Sequence, residues 1–193
     1  MEKGGTKSAI IKSIVLVMLA AIIILGFYLL LTRNKKAPAE ENYVLTTVDE
    51  ITTTDLSKNY PANPRKVVDL YAKIMQTLYK EEYTDEQETK MIDVLGGIFD
   101  DELRENQFDL QSSIKNEVSS RKAEDYGISA YAVQEKNPEI FTKDGRDICS
   151  VDCLFTMRKG SQRILLYYQF VLRKDDEGRW KILGWITKDN NEG

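Results

Sequence analysis

The rhythm of apolar positions changes three times along this chain. From Ser13 to Leu31 it is continuous, SIVLVMLAAIIILGFYLLL, nineteen residues without a charge. As a helix this run would be about 28 Å long, close to the ~30 Å hydrocarbon core of a bilayer. It has no polar stripe of the kind a surface helix of a soluble domain shows. It also exceeds the ~7–15 apolar residues of a cleaved signal peptide. The charged stretch Arg33-Asn34-Lys35-Lys36 separates it from the small residues Ala37-Pro38-Ala39, and no cysteine follows that could carry a lipid. The reading is an uncleaved single-pass anchor over 13–32 behind a stub over 1–12. Lys3, Lys7 and Lys12 before the span balance Arg33, Lys35 and Lys36 after it, so charge does not orient it. The shortness of the stub favours a cytoplasmic stub and an exported bulk, which would place residues 37–193 on the outer side of the cell membrane.

The second regime is helical. Residues 33–60 form a polar connector, a stalk, in which Val44, Val48 and Ile51 allow one short helix before Thr52-Thr53-Thr54 and the Asn59-Tyr60-Pro61 stretch interrupt it. A folded domain is then expected over 61–190. Asn63 is a good N-cap, and Pro64 stands at the first helical position, where its missing N–H costs nothing. Val67, Tyr71, Ile74 and Leu78 recur at helical spacing up to about Lys80. Thr84-Asp85-Glu86-Gln87 has capping-box form, and Met91, Val94, Leu95 and Ile98 give a second helix its face. Asp100 to Arg104 reads as a short helical turn. A third helix is expected from about Phe108 to Ala123, with Leu110, Ile114 and Val118 inward.

From Asp125 the period becomes two, the signature of strands with one buried face. Tyr126, Ile128, Ala130 and Ala132 define a first strand. After a loop containing Asn137-Pro138 and Asp144-Gly145, Cys149, Val151, Cys153, Phe155 and Met157 define a second. Ile164, Leu166, Tyr168, Phe170 and Leu172 define a third, and Trp180, Ile182, Gly184 and Ile186 a fourth. A turn at Lys159-Gly160 would pair Phe155 with Ile164 and Cys153 with Leu166. One over 174–178 would pair Phe170 with Ile182 and Tyr168 with Gly184. Parity is the stringent test, because a one-residue slip turns the apolar set outward. The expected class is α+β: a transmembrane helix, then three amphipathic helices packed on a curved antiparallel sheet of about four strands.

Charge and composition narrow the function. Residues 1–36 hold six of the 27 basic residues and one of the 31 acidic ones, leaving 21 against 30 in the remainder, a net of −9. Such a domain is poorly suited to a phosphate backbone, so nucleic acid is not an expected partner. The chain has no histidine, which removes Ser-His and Cys-His nucleophiles, His-ligated zinc and the usual general base near neutral pH. Cys149 and Cys153 share one expected strand, where their Cα atoms would lie ~13 Å apart, beyond the ~7 Å limit for a disulfide. They read as buried free thiols. No Gly-rich phosphate loop or metal-ligand cluster is present, Asp100-Asp101-Glu102 lacks calcium-loop spacing, and no cofactor is expected.

The helix opening Pro64-Arg65-Lys66-Val67-Val68-Asp69-Leu70-Tyr71 and the close Val171-Leu172-Arg173-Lys174-Asp175-Asp176-Glu177-Gly178-Arg179-Trp180-Lys181-Ile182 resemble those of the nuclear transport factor 2-like superfamily. The whole chain also resembles a family of single-pass proteins of Gram-positive anaerobes. The superfamily resemblance implies a sheet wrapped around the helices into a cone with a pocket. In its members similar to ketosteroid isomerase, a carboxylate base works beside a tyrosine inside the cone. Here the expected inner face offers Tyr168 without a carboxylate beside it, and Asp152 falls on the outer face opposite Tyr167.

Tyr168, Phe170, Phe155 and Trp180 are the candidate pocket lining. On the outer face Tyr167 and Trp185 are expected neighbours, with Leu165, Leu154 and Leu183 close by, a candidate interaction face for a homodimer or protein partner. The expected function is a membrane-anchored extracellular domain without catalytic residues that serves interaction or assembly. The alternatives are a pocket for a small apolar ligand and an enzyme built on a carboxylate.

Overall fold

The computed structural model describes residues 45–107 and 109–188. The stub over 1–12, the anchor over 13–32 and the stalk as far as Val44 lie outside the described residues. Among the described residues no helix is long and apolar enough to cross a membrane.

The domain is α+β, with five helices preceding a curved antiparallel sheet of five strands. Helix α1, Thr47–Thr52, is capped reciprocally by Thr46 and Asp49. It is part of the core: Val48 and Ile51 are buried, and Glu50 pairs with Lys73 at 2.6 Å. The folded unit thus begins at Leu45, inside the expected stalk. Two buried side chains on one face were enough to dock so short a helix. Leu56, just beyond it, packs on Gly97, where a Cβ would stand 2.5 Å from its methyl.

Helix α2, Pro64–Lys80, begins as its cap dictates, with Asn63 accepting from the Lys66 N–H, and buries the stripe from Val67 to Leu78. Helix α3, Asp85–Gly97, starts at the Thr84–Gln87 capping box. Helix α4, Asp101–Glu105, is capped by Asp100. Helix α5, Leu110–Ala123, buries only Ile114 and Val118.

The strands are β1, Tyr126–Val133; β2, Ile140–Lys143; β3, Arg146–Lys159; β4, Gln162–Lys174; and β5, Trp180–Lys188. Their order is β1-β3-β4-β5, with β2 also pairing β3. The sheet therefore has one strand more than expected. Strand β3 is long enough for β1 to pair with its second half and β2 with its start. All four residues of β2 are exposed, so it carries no alternating apolar signal.

The β3–β4 hairpin turns one residue later than expected. Lys159 pairs with Gln162, and Gly160 takes the positive φ (+58°) that opens the two-residue turn. Partners consequently shift by two, Phe155 to Leu166 and Cys153 to Tyr168. A shift of two preserves the faces, so Cys149, Val151, Cys153 and Phe155 are buried. Both cysteines are free.

Two bulges do change faces. On β1 the register slips between Ile128 and Ala130. Ala130 and Ala132, expected inward, are exposed, and Tyr131 and Val133 pack against the core instead. On β5 the extra residue is Leu183: Leu172 pairs with Ile182 while Val171 pairs with Gly184. Trp185, expected on the outer face beside Tyr167, therefore lies opposite Phe170 on the inner face. A bulge places two residues against one, so everything beyond it exchanges sides.

Candidate functional site: an aromatic cavity between sheet and helices

The sheet's inner face and helices α2 and α5 enclose a cavity of about 450 Å³, within the ~300–1,000 Å³ range of small-molecule sites. Each wall follows from a pattern already described. Strands β3 and β4 contribute their apolar sets, Phe155 and Met157, then Ile164, Leu166, Tyr168 and Phe170. Helix α2 contributes Tyr71, Met75 and Tyr79 from its inward stripe. Tyr126 and Ile128 close one side from β1, and Trp185 is delivered by the β5 bulge.

The deep end is a cluster of rings. Tyr71 meets Phe170 edge-on at 4.9 Å between centroids and Trp185 at 5.5 Å, and Phe170 and Trp185 are 5.9 Å apart. Phe155 meets Tyr168 at 5.7 Å, nearly perpendicular. Edge-on and tilted geometry lets the positive edge of one ring approach the face of the next, which holds these side chains in fixed positions.

The mouth is charged. Glu117 and Arg121, one turn apart on α5, both line the cavity, and both are exposed to solvent. A smaller adjoining cavity of about 210 Å³ shares Glu117, Tyr71, Met75 and Trp185, so Glu117 stands where the two meet. Arg121 lies over the ring of Tyr126 at 5.1 Å, and Lys159 lies over the same ring at 4.6 Å. Among the described residues, no cation comes within 4 Å of the Glu117 carboxylate.

Three tyrosines respond to that carboxylate. Burial, reinforced by the charge of Glu117, pushes the Tyr79 hydroxyl up to about 12. The same two causes, in the same order, raise Tyr71 well above the ordinary phenol range and raise Tyr168 as well, with Arg121 opposing at Tyr168. All three are neutral hydroxyls at physiological pH. Those of Tyr71 and Tyr168 have no hydrogen-bond partner among the described residues and are not sealed orphans, so they open into the cavity.

The expected site residues separate on this geometry. Tyr168, Phe170 and Phe155 line the cavity; Trp180 does not. Trp180 is buried under Lys174, whose Nζ lies 5.2 Å from its ring, at the far end of β5 before the bulge. On the outer face Leu165 (43 % exposed) and Tyr167 (40 %) are joined by Ile186 (58 %), while Leu154 and Leu183 are half-buried. Trp185 is absent from that face. Asp152 bonds Gln169 and Lys188, and Leu154 is the residue that faces Tyr167.

Sequence reasoning missed Glu117. Its signal was available: 114, 117 and 121 share one face of a helix, beside the apolar stripe of Ile114 and Val118. A polar residue flanking a stripe is the ordinary edge of an amphipathic helix, so nothing distinguished this one until the sheet curled beneath it.

A family model described as Domain of unknown function (DUF6715) matches residues 1–185. No curated protein matches the chain.

Proposed function

The chain belongs to the DUF6715 family, and from the cavity we propose that it is a binding domain for a small, largely apolar molecule, carried at the cell surface by the apolar segment over 13–32. The observation that carries this reading is an open aromatic cavity of about 450 Å³ whose wall rings pack on one another and leave the space unfilled. A concave, mostly aromatic space with a few polar groups at its mouth is the usual form of a small-molecule site. The helices-then-sheet order and the cone-like enclosure favour the nuclear transport factor 2-like comparison. The lack of histidine favours binding over catalysis.

An environment-sensitive apolar dye should bind saturably and accept energy from Trp185. Ile164→Trp, which fills the cavity from β4, should abolish that signal with the fold retained. Dye binding unaffected by Ile164→Trp would refute the assignment. Protease added to intact, wall-stripped cells should digest the domain if residues 37–193 are exported, and survival beside a digested control ectodomain would refute the orientation.

A second reading has its own support. Leu165, Tyr167 and Ile186 form an exposed apolar group on the outer sheet face, the kind of surface that pairs with a second copy. Two domains anchored in one membrane meet at raised effective concentration.

A further inference from the structure

We propose that the cavity selects an organic ammonium ion, with its apolar part among the rings and its cationic head beside Glu117. This rests on the ligand-binding reading above and adds the charge of the ligand. Of the cationic residues near the mouth, Lys159 pairs with Glu124 at 3.7 Å, and both it and Arg121 lie over the ring of Tyr126. Neither Glu117 nor Arg121 has a counter-ion within 4 Å among the described residues, and of the two only Glu117 also lines the adjoining cavity, where the two spaces meet.

The wall suits the same ligand. Rings present a negative face, and a cation within ~6 Å of a ring centroid is attracted to it, more strongly as water is excluded. Tyr71, Phe155, Tyr168, Phe170 and Trp185 supply such rings around one space. The Tyr71 and Tyr168 hydroxyls add acceptor lone pairs for an N–H donor. An anionic ligand lodged where the two cavities meet would set its charge against Glu117. The net of −9 over residues 37–193 also draws cations toward the domain before they reach the mouth.

The test uses the full chain in a sugar-based non-ionic detergent, carrying Trp180→Phe so that Trp185 is its one remaining indole. Three water-soluble probes of similar size are titrated: benzyltrimethylammonium, benzyl alcohol and phenylacetate. The expected result is a saturable change in Trp185 emission with the cation. Its affinity should exceed that for the alcohol or the carboxylate at least tenfold, and Glu117→Gln should lower it at least tenfold. Arg121→Ala, which removes a positive charge from the mouth, should tighten it, and a weakening would overturn the ammonium selectivity. Equal binding of all three probes, or binding of the cation indifferent to Glu117→Gln, overturns the ammonium selectivity and leaves an apolar pocket standing. No response of Trp185 to any probe overturns the pocket reading, and this inference with it.

Discussion

Arg173 holds Asp100 through two hydrogen bonds, Nε to Oδ2 at 3.1 Å and Nη2 to Oδ1 at 2.5 Å. This pair joins the sheet to the connection between α3 and α4, where Asp100 also caps α4 through the Glu102 N–H. The same connection is hydrogen-bonded to β5, Asp100 N–H to Ile182 O and Ile182 N–H to Ile98 O. The Asp100 side chain is only 5 % exposed and that of Arg173 19 %. Asp100→Ala removes the α4 cap and leaves the guanidinium only the exposed Glu102 as counter-ion, and the expected cost is ~2 kcal/mol. Asp100→Asn keeps a good N-cap and leaves Arg173 only Glu102, at 3.2 Å, as its counter-ion. Chemical denaturation showing Asp100→Asn as stable as the wild type would mean that the ion pair contributes nothing.

The β5 bulge makes a testable distinction between two aromatic residues. Trp185→Ala should cost ~3 kcal/mol, the scale of a large side chain lost from packed rings. Tyr167→Ala should stay within about 0.5 kcal/mol, as an exposed substitution does. Deleting Leu183 should remove the bulge while leaving Gly184 opposite Val171 and Trp185 opposite Phe170, so the buried Trp185 emission should persist. A red-shifted, solvent-like Trp185 emission in the otherwise unmodified Trp180→Phe chain would contradict its inward placement.

The thiols give a pH signature. Burial pushes Cys149 and Cys153 up to about 12 from an ordinary 9.0. With folded values raised, the unfolded chain releases these protons first as pH climbs. The stability associated with neutral thiols is complete below about 9 and is lost as pH rises toward 12. Unfolding followed across that range should show a decline that Cys149→Ala with Cys153→Ala makes shallower. Thiol labelling at pH 8 should be slow in the native chain and fast in denaturant; rapid native labelling would place the cysteines at the surface.

Self-association can be read by sedimentation of the full chain in non-ionic detergent, with Tyr167→Lys and Ile186→Lys as comparisons. If the outer face pairs two copies, the wild type sediments as a dimer and both variants as monomers. A wild type monomeric at high concentration removes the second functional reading without touching the cavity.

Local chemistry determined much of this domain in advance. Asn63-Pro64 and the Thr84–Gln87 box start their helices because caps satisfy backbone N–H groups within three residues of themselves. Alternation in β3 and β4 assigned Cys149 through Phe155, Tyr168 and Phe170 to the inner face, and it survived a turn displaced by one residue because the register then moves by two. Tertiary structure decided what depends on a partner. Ser129 carries no mark of a bulge, and Gly184 beside Leu183 allows one without fixing it; whether a strand accommodates an extra residue is settled by its pairing with the neighbouring strand. Strand β2 exists because β3 offers it an edge, and α1 because the core accepts Val48 and Ile51. Glu117 becomes a cavity residue only when the sheet bends under α5. Period and capping are short-range properties of the chain, whereas the side a residue faces beyond a bulge, and the space enclosed beneath a helix, are relations between segments far apart in sequence.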